Sequence, residues 1–77
     1  MPTQLYNVFA SRLEPAIQCA IAQGRPVPCF IQAEAWAFTG TVRPSDPSPH
    51  GFRHRRAEDA TRIVGFYLYY AEPAQRH

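Results

Sequence analysis

Between Leu5 and Ile21 the apolar positions fall at Leu5, Val8, Phe9, Leu13, Ala16, Ile17, Ala20 and Ile21, the i, i+3, i+4 rhythm of one helical stripe. Gly24 closes the stripe and Pro26 follows as a stop. Pro15 is discordant, because inside a helix it removes a hydrogen bond and clashes with the preceding turn at a cost of about 3 kcal/mol. Ser11-Arg12-Leu13-Glu14 has capping-box spacing, which would start a helix at Ser11 and hold Pro15 near its first turn. The pattern predicts a helix over at least Leu13 to Gln23, with residues 3–10 as a separate short helix or an edge strand.

Two stretches of strand composition follow. In Val27 to Ala33 the odd positions Val27, Cys29, Ile31 and Ala33 are apolar, and in Trp36 to Arg43 the positions Trp36, Phe38, Gly40 and Val42 alternate with Ala37, Thr39, Thr41 and Arg43. RPSDPSPHG, from Arg43, holds three prolines and a glycine and predicts a loop. FRHRRAEDATR lacks a clear period, although AEDA fits a helical turn. Ile63 to Ala71 predicts a last strand, ending at Glu72-Pro73. Its parity places Val64, Phe66, Leu68 and Tyr70 on one face, and Ile63, Tyr67 and Tyr69 on the other.

These elements predict an α+β fold in which one N-terminal helix packs on a three- to four-stranded antiparallel β-sheet, in two layers. Residues 1–77 form a single domain, with a long Pro/Arg-rich loop over 44–61. The helix stripe would meet Trp36, Phe38, Val42, Val64, Phe66, Leu68 and Tyr70 in the core. Tyr67 and Tyr69, with Ile63 and Phe30, would then face outward as an apolar and aromatic patch.

Composition changes this picture only in places. A chain of 77 residues buries only about 60 % of its unfolded surface, so an uncovered apolar face is costly. The 45 % hydrophobic and 18 % charged content is that of a globular protein. All eight basic residues are arginine, and Ala and Pro are frequent, as in proteins of GC-rich bacterial or phage genomes. The net charge of +2 sits wholly between Arg43 and Arg62, where five arginines meet three acids. Such a small charge gives no global attraction to nucleic acid or membrane. Two cysteines and no signal-like opening place the chain in the cytoplasm with both thiols reduced, and no apolar run is long enough to span a bilayer.

The candidate chemistry is sparse. Cys19, Cys29, His50 and His54 supply zinc-type ligands, but Cys29 sits on an apolar strand parity and Cys19 near the helix stripe, where buried small hydrophobes are commoner. No serine or cysteine lies in a nucleophile turn, and the histidines fall in the loop and at the chain end, so no enzyme and no cofactor are expected. Pro44-Ser45-Asp46-Pro47 fits PxxP, and Ser48-Pro49 a phosphosite, yet both read as loop punctuation.

HGFRHRR is more informative. It sets Arg53, Arg55 and Arg56 beside Phe52, His50 and His54, the mixture of guanidinium and ring that binds single strands, with Phe30, Tyr67 and Tyr69 as a stacking platform. A helix followed by a meander containing FTGTV also resembles the small β-barrel of bacterial RNA chaperones. Aromatics and arginine are equally the residues of protein interfaces, and an exposed aromatic sheet face marks a partner. The favoured reading is a small non-enzymatic protein-binding module whose partner-binding residues are Phe30, Tyr67, Tyr69, Arg53, Arg55 and Arg56. Its partner would be another protein, a protein–nucleic-acid complex, or a second copy joined through the sheet. RNA or single-stranded nucleic-acid binding is the alternative. In general build the chain is similar to anti-CRISPR proteins, which share no common motif. That similarity implies an inhibitor that sterically blocks a host complex, and it transfers no residues. With +2 net charge the chain departs from the acidic DNA mimics of that group.

Overall fold

The computed structural model describes residues 4–43 and 51–71. Strands β1 (Tyr6–Ser11), β2 (Ile17–Ala22) and β3 (Trp36–Val42) precede helix α1 (His54–Val64) and strand β4 (Tyr67–Tyr70). The strands form one antiparallel sheet in the order β3-β1-β2-β4. The fold is α+β with a four-stranded sheet, and its helix lies toward the C-terminal side.

Residues 13–23, expected as a helix, instead contribute the turn and second strand of a β1–β2 hairpin. The capping-box contact is made, with the Glu14 N–H donating to Ser11 Oγ at 3.1 Å, but it tightens a turn. The Ile17 N–H donates to the Glu14 carbonyl at 2.9 Å across Pro15, a place where proline's missing donor costs nothing. The helical stripe was mimicked because β1 and β2 are the two central strands. Strand β2 buries Cys19 and Ile21 on one face and Ala20 and Ala22 on the other, and β1 sets half-buried Phe9 opposite buried Tyr6 and Val8, which weakens the polar alternation of a half-exposed strand.

One face carries Tyr6 and Val8 of β1, Ala20 and Ala22 of β2, Val42 of β3, and Tyr67 and Tyr69 of β4. Helix α1 covers this face with Ala57, Ala60 and Thr61, and Phe52 fills the space just before it. The small residues on the helix and β2 leave room for rings. Phe52 meets Tyr6, Tyr67 and Tyr69 edge-on at centroid distances of 5.5, 5.5 and 5.4 Å, a favourable aromatic arrangement. Tyr67 and Tyr69 stack at 5.2 Å. At the helix end Gly65 adopts φ 92°, and its N–H donates to the Ala60 and Thr61 carbonyls at 3.2 and 3.0 Å, a glycine C-cap.

The second face is covered by chain rather than by helix. Strands β2 and β3 run parallel with β1 between them, so residues 23–35 must cross from one end of the sheet to the other. The crossing carries Phe30 to Phe66 at 5.1 Å and Trp36 at 6.0 Å. On this face Cys19 and Ile21 of β2 are buried. The Arg12 N–H and Nε–H tie the segment down by donating to the Ala35 and Ala33 carbonyls at 2.8 and 2.7 Å. The expected strand from Val27 to Ala33 is therefore absent, and these residues form turns.

Two further expectations are corrected. The register of β1 with β3 slips between Val8 and Phe9, leaving Thr39 without a partner, and its hydroxyl donates to the Val8 carbonyl at 3.1 Å. This bulge splits one sequence parity across both faces, Val42 toward the helix and Trp36 and Phe38 away from it. Of the segment 44–61, expected as loop, residues 54–61 are helical, and 44–50 lie outside the described residues.

Candidate protein-binding surface along the β4 edge

Strand β4 was expected over Ile63 to Ala71, but Ile63 and Val64 belong to the helix and Gly65 turns the chain before Tyr67. Its parity is also reversed. Tyr67 and Tyr69, expected outside, are each only 8 % exposed, whereas Leu68 and Tyr70, expected inside, are 48 % and 66 % exposed. The register gives the reason: Tyr67 lies opposite Ala20 and Tyr69 opposite Gln18, on the face where small β2 side chains admit rings. Tyr69 also donates to Gln18 Oε1 at 2.8 Å. Neither tyrosine offers the open platform that the sequence suggested.

The remaining expected site residues divide between the two layers. Arg53 is the N-cap of α1, and Arg55 and Arg56 are exposed in its first turn, which holds no acid. Phe30 lies across the opposite face, against Phe66 and Trp36. Phe66 stands between the two sets, packing on Phe30 at 5.1 Å while lining the groove that holds Arg55 and Arg56. His54 packs on Phe52 at 5.0 Å, its Nε2 buried without a hydrogen bond among the described residues.

What the structure does assemble is an apolar margin around β4, which among the described residues pairs only with β2, so that no described strand meets its other edge. The Ala71 N–H donates to the Ala16 carbonyl at 2.7 Å, which fixes the phase of the ladder. Residues 67, 69 and 71 direct their backbone groups to β2, and Leu68 and Tyr70 direct theirs outward. A groove of about 670 Å³ runs between α1 and β4, with Arg55, Arg56 and Asp59 on the helix side and Val64, Phe66 and Leu68 as apolar wall. Two smaller depressions adjoin it. One, of about 270 Å³, adds Arg25 and Val27 to Val64 and Phe66; the other, of about 250 Å³, joins Leu68 to Ile17 and Tyr70.

The groove is electropositive. Asp59 is engaged by Arg62 at 3.1 Å, and neither Arg55 nor Arg56 makes an ion pair within the described residues. No nucleophile stands beside a base in its lining. The thiols differ sharply, since Cys29 is exposed while Cys19 is buried and its thiol is pushed up to about 11 by that burial. Burial likewise pushes the Tyr69 phenol up to about 12, with Tyr67 and Cys19 adding to the effect. Among the described residues no helix is long and apolar enough to cross a membrane.

No protein-family model matches the chain, and neither a curated protein nor a solved structure matches it. Val64, Leu68 and Tyr70, expected in the core, are exposed, and Phe66 is half-buried at the groove wall. The available signal was Gly65, which stands between TRIV and FYLYY and favours a helix cap over a continuous strand.

Proposed function

We propose that this chain is a non-enzymatic protein-binding module that engages its partner along the β4 edge. The observation that carries the reading is the concentration of exposed Val27, Val64, Leu68 and Tyr70 around a strand whose outer edge is unpaired among the described residues. In a domain this small, apolar surface of that kind is costly unless a partner covers it. In its particular form the proposal is an inhibitor of the anti-CRISPR type, acting by occupying the surface of a host protein or protein–nucleic-acid complex.

The test is capture from the source cell by the wild-type chain and by a Val64→Ser/Leu68→Ser variant, with circular dichroism confirming that the variant folds. Both residues are exposed, so the fold should survive. A partner held by the wild type and lost by the variant supports the reading, and equal retention by both overturns it. Direct single-strand binding through Arg53, Arg55 and Arg56 predicts instead a complex whose affinity falls steeply with salt.

A further inference from the structure

The geometry points to the chemistry of the partner. We infer that the β4 edge accepts an extended segment, in which carboxylates alternate with large apolar residues, as a fifth strand. This rests on the protein-binding reading above and specifies its mode.

Three observations converge. Leu68 presents both its N–H and its carbonyl outward, and Tyr70 presents its N–H, whereas the Tyr70 carbonyl is approached by Gly51, where an added Cβ would overlap it. The free hydrogen-bonding register is therefore short and centred on Leu68, which selects an extended backbone over a helix. A strand seated there turns successive side chains to opposite faces. On the helix side its side chains meet Arg55 and Arg56, with the nearby Asp59 carboxylate already engaged by Arg62. On the other side they meet Leu68, Tyr70 and Ile17, a depression with no charged lining. Acidic residues at one parity and apolar residues at the other satisfy both walls.

The same charge argument disfavours a second copy. Pairing β4 with its own symmetry mate would bring two Arg55/Arg56 pairs along one strip, and the strand itself, Tyr67–Tyr70, carries no carboxylate to meet them. A partner strand of opposite charge has no such conflict.

The experiment selects binders from a random eight-residue peptide display library on the immobilised chain, then measures each selected peptide by titration and by amide chemical shifts. The expected result is enrichment of acid/apolar alternation, a footprint centred on Leu68, and a loss of roughly tenfold in affinity for Arg55→Glu/Arg56→Glu. Leu68→Pro should abolish binding, because it removes an outward donor and none that faces β2. If Leu68→Pro fails to fold, the double arginine variant and the footprint still decide the matter. Peptides that bind at Val64 and Leu68 but are neutral, basic or helical overturn this inference and leave the protein-binding surface standing. Peptides that bind elsewhere, or none, overturn both. Peptide-free dimerisation that Leu68→Pro abolishes assigns the edge to a second copy and overturns the acidic-strand inference.

Discussion

The reversed parity of β4 makes a sharp prediction about two neighbouring tyrosines. Tyr69 is 8 % exposed, stacks on Tyr67, packs edge-on against Phe52 at 5.4 Å and donates to Gln18. Truncating a buried aromatic to alanine costs about 3–5 kcal/mol, and losing the phenol's hydrogen bond adds about 1 kcal/mol. Tyr70, one residue on and 66 % exposed, should cost within about 1 kcal/mol. Small domains sit near the bottom of the ordinary stability range of about 5–15 kcal/mol. Tyr69→Ala should therefore be largely unfolded, or nearly so, while Tyr70→Ala unfolds close to the wild type. The assay is urea denaturation followed by far-ultraviolet circular dichroism at pH 7, with Tyr69→Phe isolating the hydroxyl. If Tyr70→Ala proves as costly as Tyr69→Ala, the core is built on the other parity and the account of the sheet is wrong.

Gly51 has φ 88° and no room for a Cβ against the Tyr70 backbone, whereas Gly24 at φ 92° has open space. Gly51→Ala should thus cost at least about 2 kcal/mol and Gly24→Ala only about 1 kcal/mol, and comparable urea midpoints for the two would contradict the contact. Cys29 should react with a thiol reagent in the native state while Cys19 reacts only on unfolding; two equally fast thiols would show that the 23–35 crossing does not cover the sheet. Stability should fall between pH 9 and 12. Cys19 and Tyr69 hold their protons to about 11 and about 12, so above the ordinary values of 9.0 and 10.0 the unfolded chain ionises first. An unchanged urea midpoint from pH 8 to pH 11 would argue against the burial of both groups.

The parts of this fold legible in the sequence are those with a single physical reading. Trp36 to Val42 alternates as an edge strand does, and Gly24 marks the end of an element whichever kind precedes it. The parts misread had two readings that only tertiary structure separates. Residues 5–21 fit a helical stripe because β2 is buried on both faces and β1 carries Phe9, half-buried, on the face away from Tyr6 and Val8, so apolar residues fall on both faces. The continuous aromatic run after Ile63 hid a helix end, because Ile63 and Val64 are β-branched residues typical of strands, yet they close α1. Parity then failed twice, once at the Thr39 bulge and once past Gly65, since either feature exchanges the two faces of every residue beyond it. Of the expected site, Arg55 and Arg56 do line the groove, because exposed arginine beside a helix start needs no parity to be placed. Tyr67 and Tyr69 were placed by parity and fell on the wrong side.

The central claim is that β4 is an open edge on which a partner strand docks. It is tested most directly by amide hydrogen exchange at Leu68 and Tyr69, measured in the free chain and in complex with a captured partner or selected peptide. In the free chain the Leu68 N–H, which points away from β2, should exchange much faster than the Tyr69 N–H, which points toward it. On binding, Leu68 should become protected with little change at Tyr69. Protection that appears instead at the β3 edge, or a Leu68 amide that exchanges as fast bound as free, would contradict the account.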